Sequence, residues 1–234
     1  LGDVYKRQYM DNYNYQKGMK EIIQELKNFL KPKDIGTDSD RALLLDFQAT
    51  LEIKPEKAIK LEKDALAQIE NITADNARLV SNLHANLGGL YRMNGHPDLA
   101  REHMEKSISL LDQFNLLHIN DSIPQIANYA MFLTEQQEPE RGISELQKLS
   151  GIIKEYHSDD CLDYAKVQET LGTIYLMTAN LPQAKTHFKR AFKIYEKIWA
   201  DEPEMIEAKY QEIQELYPQI GFCIGKNLSG LLTK

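Results

Sequence analysis

Residues 86–108 read NLGGLYRMNGHPDLAREHMEKSI, and residues 170–192 read TLGTIYLMTANLPQAKTHFKRAF. Both stretches carry the pattern Leu-Gly-x-x-Tyr, then a turn, a proline and an alanine. The alignment extends along the chain to four small residues that follow one another at intervals of 42: Ala58, Ala100, Gly142 and Ala184. Self-similarity at a fixed period is the sequence signature of a repeat architecture.

A proline precedes each aligned small residue by two or three positions, at Pro55, Pro97, Pro139 and Pro182. Proline suits the first turn of a helix, where its missing N–H has no partner within the helix. Polar and helix-breaking residues surround each proline, as in NGHPD and TANLP. Each unit is therefore predicted to be one helix, a tight turn and a second helix that begins near the proline.

Apolar residues recur at helical spacing, such as Leu83, Leu87 and Leu90, and strand-like alternation does not persist anywhere. Small residues at Gly88 and Ala100 let the two helices of a unit approach closely. We predict an all-α fold, a right-handed α-solenoid of antiparallel helix pairs.

A small residue twelve positions after the glycine of Leu-Gly-x-x-Tyr, with another seven further on, makes the pattern resemble the tetratricopeptide repeat (TPR). The usual period is 34 residues, and the longer unit here is similar to the variant of kinesin light chains and many bacterial signalling proteins. The resemblance covers four repeats in residues 38–200, with weaker copies at Asp46 and Ala130. It implies a superhelix whose first helices line a concave groove.

The segments outside the four repeats are predicted separately. Residues 1–8, LGDVYKRQ, contain a Leu-Gly-x-x-Tyr that is out of register, and they resemble a sequencing-adaptor scar at the end of a fragment. A natural but irregular first helix is the alternative. Residues 9–37 resemble the second helix of a partial repeat, with Gly18 in the small position. Residues 201–234 are predicted to be capping helices that cover the last repeat.

The predicted binding site lies on the groove side of the first helices. Asn86 and Asn128 are 42 residues apart, and a primary amide offers the donors and acceptor that match an extended peptide backbone. In similar kinesin-light-chain repeats, asparagines at this position hold bound peptides. The equally weighted alternative is that both asparagines only cap or bridge helices. The full set of predicted groove residues is Asn82, Asn86, Met93, Asn128, Met131, Lys166, Thr170, Thr173 and Met177.

Enzyme and cofactor signals are poor. The chain contains no phosphate-binding loop, no His-Glu-x-x-His and no Gly-x-Ser-x-Gly. His157 and Cys161 are four residues apart, but a metal site usually needs three or four ligands. We predict no enzymatic activity, no cofactor and no metal.

The formal charge of −7 disfavours nucleic acid as a partner, and no apolar run is long enough to cross a membrane. Cys161 and Cys223 form no disulfide framework, which favours a reducing, cytoplasmic environment. We predict a non-enzymatic scaffold that binds a protein or peptide segment in the groove. The alternative is a sensor module of a larger signalling protein, either a nucleotide-switch ATPase or a peptide-responsive transcription regulator. An accessory domain of an enzyme is the third interpretation.

Overall fold

A computed structural model describes residues 2–31 and 35–216, with side chains at 14–31 and 35–215. All regular secondary structure in this part of the chain is helical. The helices are α1 (Gly2–Phe29), α2 (Asp38–Thr50), α3 (Pro55–Leu66), α4 (Ala77–Met93), α5 (Pro97–Gln113), α6 (Ser122–Glu135), α7 (Pro139–Tyr156), α8 (Leu162–Met177), α9 (Leu181–Ile198) and α10 (Pro203–Leu216).

The chain divides into two compact units, Leu1–Leu117 and His118–Lys234, called unit 1 and unit 2 below. In unit 1, α2 packs against α3 and α4 packs against α5. In unit 2, α6 packs against α7 and α8 packs against α9. These four hairpins confirm the predicted all-helical fold of paired helices, while the right-handed twist stays a prediction.

The predicted prolines lie in the first turn of each second helix, in α3, α5, α7 and α9. The turns before the last three prolines repeat one backbone geometry. Gly95, Gln137 and Ala179 adopt positive φ angles of 73°, 65° and 58°, and they too are 42 residues apart. The N–H of the following residue then bonds back across the turn, as from Glu138 to the Leu133 carbonyl at 2.8 Å. This is a Schellman motif, which satisfies the last carbonyls of each first helix.

Small residues set how closely the two helices of a hairpin approach. A Cβ placed on Gly142 would lie 2.6 Å from the carbonyl oxygen of Ala130, and one on Gly172 would lie 3.0 Å from the ring of Phe188. Ala58, Ala100 and Ala184 are fully or almost fully buried at the aligned position. The small positions of the repeat are therefore contact points between helices, as the sequence predicts.

The first and last described helices flank the hairpins of their own units. Helix α1 is continuous from Gly2 and packs on α2, with Met19 and Ile23 buried. The predicted boundaries at residues 8 and 37 stay predictions. Helix α10 packs on α9, where the Tyr210 and Phe192 rings lie 5.9 Å apart. The rest of the predicted capping segment, including Cys223, lies outside the described residues.

Candidate functional site

In unit 2, the predicted groove residues lie on the two first helices, α6 and α8, which contact each other. Asn128 on α6 is exposed and, among the residues whose side chains are described, forms no hydrogen bond. Both halves of its amide are therefore available to a ligand. Thr170 takes the equivalent place on α8 but donates its hydroxyl back to the Lys166 carbonyl at 3.0 Å, so it offers only an acceptor.

The remaining predicted residues of this face differ in exposure. Lys166 is exposed, with its Nζ 3.8 Å from Asp163 Oδ1. Met131 and Thr173 are half-buried, and the Met177 side chain is 43% exposed. Unit 2 thus presents an unpaired amide, a cation and a flexible apolar side chain on adjacent helices.

In unit 1, the predicted residues lie on α4. Asn82 is half-buried, and Met93 is 83% exposed at the C-terminal end of the helix. Methionine is flexible and polarisable, which suits an adaptable contact surface.

Asn86 does more than line a face, because it joins three helices. Its Nδ2 donates to Asp46 Oδ1 on α2 at 2.9 Å and to Glu62 Oε1 on α3 at 3.1 Å. The two carboxyl acceptors fix the orientation of the amide and use both of its N–H donors. Asn86 therefore has the bridging arrangement that the alternative interpretation describes. Only its carbonyl oxygen is left to meet a ligand.

Asp46 and Glu62 are not among the predicted groove residues, although the repeat register contains a signal for both. Asp46 takes the place of Gly88, Ala130 and Gly172 in the other hairpins. Glu62 takes the place of three buried apolar residues, Met104, Leu146 and Phe188. The α2–α3 hairpin thus has two carboxyl groups where the other three hairpins pair a small residue with a large apolar one.

Burial controls the charge of these carboxyl groups. Glu62 is only 2% exposed, and its burial, followed by the charge of Asp46, raises its pKa to about 9. Burial also raises the pKa of Asp46, while hydrogen bonds from Glu62 and Asn86 oppose the increase. Glu62 therefore keeps its proton near neutral pH and bonds to Asp46 through it. Its Oε2 accepts no hydrogen bond among the described residues.

A second polar cluster links α4 and α5. The Nδ1 atoms of His84 and His103 lie 2.9 Å apart, and the Tyr91 ring packs 5.4 Å from that of His103. Burial, followed by the proximity of His103 and Lys106, lowers the pKa of His84 to about 4. Both rings are therefore neutral at pH 7, with one Nδ1–H donating to the other Nδ1.

His157 and Cys161 have other partners. His157 Nε2 lies 2.9 Å from the His118 carbonyl oxygen. The Cys161 thiol caps α8, accepting from the Tyr164 N–H and donating to the Ser158 carbonyl. Within residues 14–31 and 35–215, no group of three histidine, cysteine or acidic side chains is arranged to hold a metal ion. None of the helices in the described part is both long and apolar enough to cross a bilayer.

Comparison with known proteins shows which repeat family this architecture resembles. Residues 122–197 match the family model of the tetratricopeptide repeat. No curated protein sequence matches the chain.

Among solved structures, BtubC (BKLC) from P. vanneervenii is 19% identical, with 77% of this chain and 72% of that chain covered at a TM-score of 0.64. A putative kinesin light chain of P. anserina with nearly identical TPR-like repeats is 13% identical, with 82% and 93% covered at 0.61. MamA is 16% identical, with 80% and 94% covered at 0.53.

At these identities the solved structures show the fold alone, and they confirm the resemblance drawn from the repeated stretches. Residues 122–197 match the tetratricopeptide repeat in sequence, and the chain has the all-helical fold of tetratricopeptide-repeat proteins.

Proposed function

We propose that this chain is a non-catalytic interaction module that binds a protein or peptide segment on the first helices of its repeats. The tetratricopeptide-repeat fold typically serves as a scaffold for protein interactions, which supports the general role. The observation that carries the proposal is Asn128, whose exposed amide has no hydrogen-bond partner among the described side chains. Such an amide can accept from and donate to the backbone of an extended segment.

Neighbouring side chains support this role for unit 2. Met177 offers apolar contact, and the Lys166 ammonium lies on the same helix. Asn86 of unit 1 contributes differently, since its N–H donors already serve Asp46 and Glu62. We therefore assign Asn128 as a donor and acceptor for the bound backbone, and Asn86 as an acceptor only.

The test selects peptides on the full chain from a random display library and measures their affinities by fluorescence anisotropy. Asn128→Ala should weaken binding about tenfold, because it removes two hydrogen bonds to the ligand. Gln147→Ala, at an exposed position on the second helix α7, is the matched control and should leave affinity unchanged. Selected peptides that bind both variants as tightly as the original protein would reject the assignment of Asn128.

The alternative function, a sensor module of a larger signalling protein in a reducing, cytoplasmic environment, makes a separate prediction. The reading frame of the parent gene should then also encode a phosphate-binding loop or a DNA-binding helix-turn-helix. Sequencing that gene decides between control of an attached activity and binding of a separate partner.

A further inference from the structure

Asp46 and Glu62, the carboxyl pair of unit 1, are expected to lower the stability of the fold, and the packing of the repeat does not require them. The other hairpins fill the same two positions with small and apolar residues, such as Gly172 and Phe188, which pack directly against each other. A buried acid in a core position usually destabilises a protein unless a partner neutralises it. Helix packing therefore does not explain why unit 1 has this carboxyl pair.

No positively charged partner is present within the described part of the chain. None of its lysines or arginines forms an ion pair with Asp46 or Glu62. None is a cause of the raised pKa of either carboxyl group. The hydrogen bonds that the pair receives come from Asn86. Within residues 14–31 and 35–215, the buried Oε2 of Glu62 accepts none. Two acids thus share hydrogen-bonding capacity that these described residues leave unused.

The pair is reached from the first-helix face. Asp46 on α2 is half-buried, Asn86 on α4 is exposed, and Glu62 on α3 lies behind them. Helices α2 and α4 contact each other, so Asp46 and Asn86 border the same stretch of surface. A group that approaches this face meets the Asn86 amide and the Asp46 carboxylate before it meets Glu62.

We propose that Asp46, Glu62 and Asn86 form a recognition site for one lysine or arginine side chain of the segment that unit 1 binds. This inference rests on the proposed function and deepens it by naming the chemistry of the ligand. The incoming cation takes the place of the proton that the two carboxyl groups share, and that proton leaves to solvent. An arginine guanidinium or a lysine ammonium supplies several donors at once, which suits a pair of carboxyl groups that lies against the Asn86 amide.

A divalent metal ion fits the site less well. Calcium takes six to eight oxygen ligands, and magnesium requires an octahedral set. The site offers two carboxyl groups, and Asn86 turns its N–H₂ group towards them rather than its oxygen. An organic cation that donates hydrogen bonds matches this donor and acceptor pattern, whereas a bare metal ion does not.

The test uses the full chain and two isosteric probes, N-acetyl-arginine amide and its neutral analogue N-acetyl-citrulline amide. The side-chain amide signals of Asn86 are followed by ¹⁵N NMR while each probe is added. The arginine probe should shift these signals in a saturable manner, and the citrulline probe should not. Asp46→Asn and Glu62→Gln should each weaken the arginine effect at least about tenfold. Asp64→Asn, at an exposed position on the same helix α3, should leave it unchanged.

Each other result overturns the inference. The site does not recognise a cationic side chain if Asn86 responds to neither probe or to both alike, or if Asp64→Asn abolishes the response as strongly as Glu62→Gln. Saturation by calcium or magnesium instead of arginine would identify a metal site. The wild-type comparison of the two probes needs no variant, so a folding defect cannot obscure it. It also needs no selected peptide, so its failure is distinguishable from failure of the proposed function, which is tested at Asn128.

Discussion

The Nδ1 atoms of His84 and His103 lie 2.9 Å apart in the first unit, and the second unit contains the same arrangement with one histidine replaced. There, Gln168 Oε1 lies 2.9 Å from His187 Nδ1, and both residues are 84 positions beyond their counterparts. A tyrosine ring completes each cluster: Tyr91 lies tilted against His103, and Tyr175 stacks on His187. In unit 1 the partner of the half-buried His103 is a histidine, which can bind a proton, whereas in unit 2 the partner of the half-buried His187 is a glutamine, which cannot.

The histidine pair should make stability sensitive to acid. Burial lowers the pKa of His84 to about 4 and also lowers that of His103, where Glu102 opposes the shift and Lys63 and Lys106 add to it. Between pH 6.5 and 4 the unfolded chain binds protons that the folded chain refuses, so the free energy of unfolding falls as pH falls. The contribution of the pair is fully present above pH 6.5.

We expect His84→Gln, which copies the second unit, to reduce this loss between pH 7 and pH 5 by about 1 kcal/mol. Urea denaturation followed by circular dichroism at both pH values measures it. His96→Gln, at an exposed histidine, is the control. Parallel losses in all three proteins would show that the pair does not cause the acid sensitivity.

Glu62 should destabilise the protein at neutral and alkaline pH. Its pKa is raised from the ordinary 4.5 to about 9, so across this window the folded chain holds a proton that the unfolded chain has released. The free energy of unfolding therefore decreases as pH rises from 4.5 to 9. Glu62→Met, which copies Met104, should raise the free energy of unfolding at pH 8 by about 1–4 kcal/mol and flatten this pH dependence.

Glu56→Met, at an exposed position of the same helix, controls for the change in charge and should have little effect. Chemical denaturation at pH 5, 7 and 9 provides the comparison. A less stable Glu62→Met protein would show that the carboxyl pair contributes net stability, contrary to this expectation.

The sequence predicts the hairpins well because the contacts between paired helices recur about every 42 residues, and each contact requires a particular type of residue. The prolines and small residues occupy the positions where two helices begin or touch, so their spacing is visible in one dimension. The contacts of Asn86 are not visible in this way, because its partners come from two other helices. Glu62 was detectable as a charged residue in an apolar position, but only once the register was extended to positions outside the Leu-Gly-x-x-Tyr motif.

The turn geometry shows a similar limit. Glycine at position 95 indicates a left-handed residue, but Gln137 and Ala179 carry no such signal although they adopt the same conformation. The surrounding Schellman hydrogen bonds hold these residues in place against their own preference.

Gly142 should tolerate no side chain. A Cβ there would meet the Ala130 carbonyl oxygen at 2.6 Å, and a backbone atom cannot rotate away. We expect Gly142→Ala to lower the free energy of unfolding by about 1–3 kcal/mol. Gly151→Ala in the same helix has open space around it and should raise that free energy by about 0.5–1 kcal/mol through helix propensity. Thermal denaturation of both variants tests the pair, and equal effects would contradict close helix contact at residue 142.

Ala179 should gain stability on replacement by glycine. Its φ of 58° lies in the left-handed region, which costs an L-residue about 1–2 kcal/mol. Glycine removes this cost but adds about 0.5–1 kcal/mol of chain entropy, so Ala179→Gly should raise the free energy of unfolding by up to about 1 kcal/mol.

Gly95→Ala is the reverse experiment, and it should lower the free energy of unfolding by a similar amount. Because the space around Gly95 is open, this decrease would come from the backbone conformation and not from a steric clash. Ala67→Gly is the control, because Ala67 ends α3 with an ordinary φ of −68° and its replacement should only destabilise. Urea denaturation of the three variants at pH 7 decides the matter: a destabilised Ala179→Gly protein would mean that the Schellman turn does not strain this residue.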